Sequence, residues 1–145
     1  MSLEHLTELT KKLHDHDNFL HTFINQSAIL AWIKDINGKY TYANPSLIKF
    51  HNLELEDDII GKTDYDLWPQ DAADEYTKND KLVWKYGGNK ELIESIDKIG
   101  YMHHFYVIKF KLDDIGIGGM AIDLNGSVKK LIAKYDEQYL TNITN

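Results

Sequence analysis

The chain has 145 residues, 43% of them hydrophobic, with no cysteine, a formal net charge of −7, and lysine as its only strong base. That length supports one compact core without staples, and the missing cysteines exclude disulfides, thiolate metal sites, thiol nucleophiles and cysteinyl chromophore adducts while leaving the redox compartment open. Lack of arginine and an acidic balance make nucleic acid and anionic lipid unexpected as partners, and with no apolar run long enough for a membrane span or signal peptide the expectation is a cytoplasmic domain, whose parent could still be membrane-bound.

In chain order, Leu6, Leu9, Leu13, His16, Leu20 and Phe23 recur at steps of three and four, the seam of an amphipathic helix or short coiled coil. Asp17 could cap a second helix at Asn18, so one long helix and two shorter ones are both open. The seam needs a partner surface in either case. Two β-rich runs, Ile29 to Lys34 and Lys39 to Ala43, flank Asn37-Gly38, a strong hairpin signal. Asn44 has the form of an N-cap, with Pro45 at the first helical position of a short helix through about Phe50. Another helical turn is expected within Glu54 to Ile60.

From Asp71 the positions Ala72, Tyr76, Leu82 or Val83, and Tyr86 fit a helix ended by Gly87-Gly88. Residues 90–112 read as two strands meeting at Ile99-Gly100, and "IGIGGMAIDL" as a fifth, with glycines where something packs closely. Ser127 can cap a closing helix with a stripe of Val128, Leu131, Ile132, Tyr135 and Tyr139. This order predicts an α+β fold: a five-stranded antiparallel sheet whose helical middle connection, Asn44 to Gly88, lies across one face.

Several motifs, in this order, resemble a PAS domain over roughly Phe19 to Asn125. "IKDINGKYTYAN" is similar to the family's first hairpin and the asparagine opening its first core helix. "GKTDYDLWP" is similar to the segment between the short helices and the long one. "DLN" at Asp123 to Asn125 is similar to the family's terminal Asp-Ile-Thr, with Leu124-Asn125 in place of Ile-Thr. The resemblance implies a domain plan of 1–18 as an N-terminal dimerisation helix, 19–125 as a sensor domain and 126–145 as a C-terminal signalling helix. It also gives the acid-rich stretch Gly61 to Tyr76 a structural role. Thr63 or Asp64 would cap a short helix, and Asp71 would favour the positive end of the long one. The spacing of these acids matches neither an EF-hand loop nor a metal set.

Phe50, Trp68, Tyr76, Val83, Met102, His104, Tyr106 and Met120 are the expected lining of a small-molecule cavity between helices and sheet. His104 enters through the alternation Met102, His104, Tyr106, Ile108, Phe110, taken as the inner face because the other set holds Lys109 and Lys111. His103 and His104 then point to opposite faces and cannot share a metal. Covalent flavin signalling is excluded without cysteine, non-covalent flavin is not, and haem is disfavoured because Asp71 to Tyr86 holds no histidine. No catalytic set of nucleophile and base is found, and His14-Asp15-His16 and the sequon Asn142-Ile143-Thr144 carry no chemistry.

What the resemblance implies is a non-catalytic sensory domain binding a small molecule and signalling through its C-terminal helix, with Asp123 coupling the two. Its parent would be a sensor histidine kinase, a cyclic-dinucleotide enzyme or a transcriptional regulator supplying the effector. A homodimer through the N-terminal helix and the sheet face is expected. The alternative is a ligand-free dimerisation module with a fully packed core.

Overall fold

The computed structural model describes residues 2–26, 28–125, 130, 131 and 133–138. Its elements are α1 (Leu3–Gln26), β1 (Leu30–Asp35), β2 (Tyr40–Ala43), α2 (Pro45–Phe50), a 3-10 turn at Glu56–Asp58, α3 (Asp64–Leu67), α4 (Gln70–Tyr86), β3 (Asn89–Lys98), β4 (Tyr101–Leu112) and β5 (Gly116–Asp123). The strands form one antiparallel sheet in the order β2-β1-β5-β4-β3. β2 and β3 are thus the two edges, and the segment joining them crosses the inner face with α2, α3 and α4. The fold is α+β, as the pattern of elements implies.

Local chemistry accounts for the joints. At the β1–β2 turn, Asp35 Oδ1 accepts from the backbone N–H groups of Asn37 and Lys39, and Gly38 takes φ +80°. Asn44, fully buried, accepts at Oδ1 from the amides of Leu47 and Ala31 and donates from Nδ2 to the carbonyls of Ile24 and Ile29. One side chain therefore caps α2 and ties the end of α1 to the start of β1. At α3 it is Asp66 that satisfies the entry, accepting from Thr63 N and Oγ1, which leaves Asp64 free to turn inward.

α1 is one unbroken helix through residues 15–18. Leu6, Leu9 and Phe23 of its seam are exposed, and the side chains of Leu13, His16 and Leu20 lie outside the described set. Of the closing helix, residues 133–138 are helical; its expected cap Ser127 and the stripe positions Val128, Ile132 and Tyr139 lie outside the described residues. The core between sheet and helices is built on Leu30, Trp32, Leu47, Ile59, Ile96, Phe105 and Val107, side chains whose burial is worth about 1.5–3 kcal/mol each.

Register corrects one expectation. In β4 the inner set is His103, Phe105, Val107 and Lys109, not Met102, His104 and Tyr106. The physical reason is Lys109: its side chain is fully buried because carboxylates meet it there, so a lysine in the alternation did not mark the solvent side. Lys111 follows on the same face with its ammonium 4.2 Å from the centre of the Trp84 ring.

Candidate functional site

Five ionisable side chains, each from a different element, meet between sheet and helices. Lys34 on β1 places Nζ 2.6 Å from Asp64 Oδ2 and 2.8 Å from Asp80 Oδ2. Lys109 on β4 places its Nζ 2.7 Å from the other oxygen of Asp80 and 2.7 Å from Glu94 Oε2. Asp80 on α4 therefore bridges the two ammonium groups, while Asp64 on α3 and Glu94 on β3 close the ends. Tyr40 donates to Asp64 Oδ1 at 2.6 Å and Trp68 Nε1 donates to the same oxygen at 3.1 Å; Asn79 Nδ2 donates to Glu94 Oε2 at 3.0 Å.

Charges out of water are tolerated only when paired and hydrogen-bonded, and the protonation states follow from that pairing. Burial opposes the Lys34 ammonium, but the Tyr40, Asp80 and Asp64 oxygens around it outweigh burial and raise its pKa above the lysine range. Burial would also raise the Asp80 carboxyl, yet Lys34 and Lys109 together hold it below the ordinary carboxylate value. Tyr40 is pushed well above its ordinary value, mainly by burial, so it stays a hydrogen-bond donor. Two ammonium groups against three carboxylates leave one negative charge in excess.

Beside this cluster lies a small cavity, about 50 Å³ counted as space open to the centre of a water molecule. Trp32, Lys34, Glu94, Phe105, Val107 and Lys109 contribute from the sheet; Phe50, His51, Trp68 and Tyr76 contribute from the helical side. At about 10–15 Å³ per water the space holds a few waters as it stands. A ring-sized occupant needs the Phe50–His51–Trp68 wall to give. That wall is a stack: His51 lies on Trp68 with ring centres 3.5 Å apart and meets Phe50 edge-on at 4.9 Å. Burial, with Lys98 nearby, lowers the His51 pKa to about 3, so the ring is neutral at physiological pH. Tyr76 donates its hydroxyl to the Ser95 carbonyl at 3.2 Å, and burial, with Glu94 and Glu75 adding to it, raises its pKa.

Of the residues expected at the cavity, Phe50, Trp68 and Tyr76 line it. Val83 is buried on α4 but outside the lining. Met102, His104, Tyr106 and Met120 stand on the opposite face of the sheet, and Met102 and Met120 are exposed. There His104 Nδ1 lies 2.7 Å from Ser95 Oγ. Sequence reasoning missed the whole polar side of the cavity. The available signals were lysines and a glutamate on the inner alternation of three strands, and Asp80 standing in the apolar stripe of α4 between Tyr76 and Val83. Among the described residues no group of three or more His, Asp or Glu is arranged to hold a metal ion.

At the exit of β5, Asp123 Oδ1 accepts from Asn125 N at 2.8 Å. Asn125 reaches back to β4, accepting from His104 N at 3.0 Å and donating to the Met102 carbonyl at 3.2 Å. The residue that departs from the family's threonine thus makes two side-chain bonds to the strand that lines the cavity.

The family model described as the PAS fold matches residues 24–128. The chain belongs to the PAS family. A diguanylate cyclase of Vibrio cholerae serotype O1 is 29% identical to it over 86 residues, which make up 57% of this chain and 26% of the cyclase. VqmA of Vibrio cholerae, solved in complex with a ligand and DNA, superposes with a TM-score of 0.65 at 23% identity, over 71% of this chain and 49% of that one. The PAS domain of the Cronobacter turicensis quorum-sensing receptor RpfR, in complex with BDSF, gives 0.59 at 17% identity over 70% and 99%. This PAS chain spans about a quarter of the cyclase's length and about half of VqmA's; at such identities the two structures bear on the fold.

Proposed function

We propose that this PAS domain is a sensory module that admits a small neutral molecule to the cavity between sheet and helices and passes the change through β5 to the chain beyond Asn125. The observation that supports this reading is the cavity's construction: an aromatic wall of Phe50, His51, Trp68 and Tyr76 faces a fixed polar wall of Lys34, Glu94 and Lys109. Aromatic rings offer contact area at low entropic cost, and the ion cluster offers directional partners already held in place. An anionic metabolite is disfavoured, since the cluster carries excess negative charge and the chain has no arginine to clamp a carboxylate. In this reading the parent is a cytoplasmic signalling protein, a sensor histidine kinase, a transcriptional regulator or a cyclic-dinucleotide enzyme, and the partial likeness to a diguanylate cyclase supports the last. The PAS domain itself does no chemistry, and the effector comes from the rest of the parent.

A second reading, a ligand-free dimerisation module, draws on the small size of the cavity and on the exposed seam of α1. In both readings a homodimer forms when α1 of a second copy covers apolar side chains of the outer sheet face. Thermal melting separates them. A melting temperature that rises with small neutral aromatics supports the sensor, because a ligand that binds only the folded state stabilises it by mass action. A melt that depends on protein concentration and ignores every such compound supports the dimerisation module. Mass spectrometry of gently released material adds a direct test, and recovery of a di- or tricarboxylate from the cavity would sink the neutral-ligand reading.

A further inference from the structure

Among the described residues that line the cavity, one buried side-chain nitrogen has no hydrogen-bond partner. Trp32 lines the cavity from β1, is buried, and its indole Nε1–H has no hydrogen-bond partner among the described residues. The ring cannot easily turn away, because it lies directly over the backbone of Gly119: a Cβ at that position would stand 2.4 Å from Cζ2 and 2.9 Å from Nε1 of Trp32. Register fixes the same pairing, with Trp32 opposite Gly119 and Gly119 opposite Lys109 across β1, β5 and β4. The nearby Trp68 shows the contrast, since its Nε1 donates to Asp64 and to Tyr40. A buried N–H without an acceptor costs the full desolvation of the group, and native interiors rarely leave one so.

We propose that the occupant of this cavity is a neutral molecule carrying a carbonyl oxygen or ring-nitrogen acceptor, and that Trp32 Nε1–H donates to it. The inference rests on reading the cavity as a ligand site and names the chemistry of what enters. A hydrocarbon of the same size leaves the donor unmet. A carboxylate supplies an acceptor but adds charge beside a cluster that already holds three carboxylates against two ammonium groups. Trp32 is then a specificity-determining residue, because a site built to meet an acceptor rejects an analogue that lacks one.

The test uses three probes of one ring size, 2-pyridone, toluene and benzoate, followed by the indole N–H resonances of the full chain. Assignment comes from Trp32→Phe, which removes one resonance. In the wild type, 2-pyridone should move the Trp32 indole proton downfield while leaving that of the half-exposed Trp84 in place, and should bind at least tenfold more tightly than toluene or benzoate. Trp32 replaced by benzothienylalanine, which keeps the ring's shape and removes the N–H, should lose about tenfold in 2-pyridone affinity with an unchanged or higher melting temperature in the absence of probe. If 2-pyridone and toluene bind alike and the Trp32 resonance does not move, the acceptor inference falls while the ligand site stands. Tight benzoate binding overturns the requirement for neutrality. If no probe shifts any residue of the cavity, the ligand site itself falls and the inference with it.

Discussion

The inner face of the sheet buries Lys34, Glu94 and Lys109, whereas the outer face leaves Ile93, Met102, Met120 and Ile122 exposed. Hydrophobicity alone would assign them the other way round. What separates the faces is partners. Each inner charge meets an opposite charge delivered by α3, α4 or a neighbouring strand, and the outer side chains are left exposed by the described residues. A lysine can therefore be a core residue and a methionine a surface one within the same strand, as Lys109 and Met102 are.

The largest effect should come from breaking the inner arrangement. Lys109→Met keeps the length of the stem but leaves Asp64, Asp80 and Glu94 with Lys34 alone. Removing one partner from a buried ion network costs about 3–5 kcal/mol. Urea unfolding should show this as a lower midpoint at unchanged slope. Met120→Ser on the outer face should stay within about 0.5 kcal/mol in dilute solution, where copies are apart. Adding Glu94→Gln to Lys109→Met should recover part of the loss, because one uncompensated carboxylate is gone. Equal costs at Lys109 and Met120 would erase the distinction between the faces.

The next effect is the pH dependence of the inner face. His51 remains neutral in the fold down to about pH 3, while the unfolded chain takes up its proton near the ordinary value of 6.5. The unfolded state thus binds more protons in between. The stability His51 contributes is complete above pH 6.5 and declines as pH falls toward 3, with a slope of up to about 1.4 kcal/mol per pH unit. Asp80 acts lower: its depressed pKa gives stability that is present above the ordinary carboxylate value of 3.8 and lost as pH falls through the folded value. His51→Phe, which keeps an aromatic ring on Trp68, should flatten the first decline and leave the second. An unaltered profile between pH 6.5 and 4 would show that His51 is as exposed to protons in the fold as out of it.

On the outer face the effect belongs to association. Removing the residues before Asn18 takes away the exposed Leu6 and Leu9 of α1 but leaves Asn44 its hold on Ile24 and Ile29. Sedimentation should show dimer affinity falling at least tenfold, with the urea midpoint of the dilute chain little changed. Met102→Lys should weaken pairing in the same direction. A truncated chain that dimerises as well as the full one would take α1 out of the interface.

How much of this was legible depended on whether a local rule or a long-range partner decided the outcome. Asn37-Gly38, Gly87-Gly88 and Ile99-Gly100 act through their own backbone and Asn44-Pro45 through a side-chain cap on the helix it opens, and each stands at the joint its residue types imply. The family resemblance, carried by those joints in order, gave the architecture. Of the cavity's aromatic half, Phe50, Trp68 and Tyr76 followed, since they come from elements whose placement was clear, while Trp32, His51 and Phe105 did not. Its polar half did not, because Lys34, Asp64, Asp80, Glu94 and Lys109 are scattered over 76 residues of sequence and become partners only once sheet register and helix crossing bring them together. An alternation of residues in β4 supplies two faces and does not say which is inside.

The smallest effect on stability is expected at the exit, where both faces join. β4 carries Phe105, Val107 and Lys109 into the cavity on one side, and on its backbone the carbonyl of Met102 and the amide of His104 hold Asn125. Asp123 holds the same turn by one hydrogen bond, from Asn125 N, and its other oxygen stands 3.6 Å from His103 Nδ1 on β4. Loss of either side chain should cost about 1 kcal/mol per hydrogen bond, too little to unfold the domain. Their effects on signalling should differ. A strand that shifts when the cavity fills can redirect the chain beyond Asn125 only while that chain is fastened to the strand. In fusions to one reporter kinase, Asn125→Ala should abolish most of the ligand response at nearly unchanged ligand affinity, and Asp123→Ala should reduce it less. If both variants respond like the wild type, with only lower melting temperatures, these residues cap a turn, and the signal leaves the domain by another route.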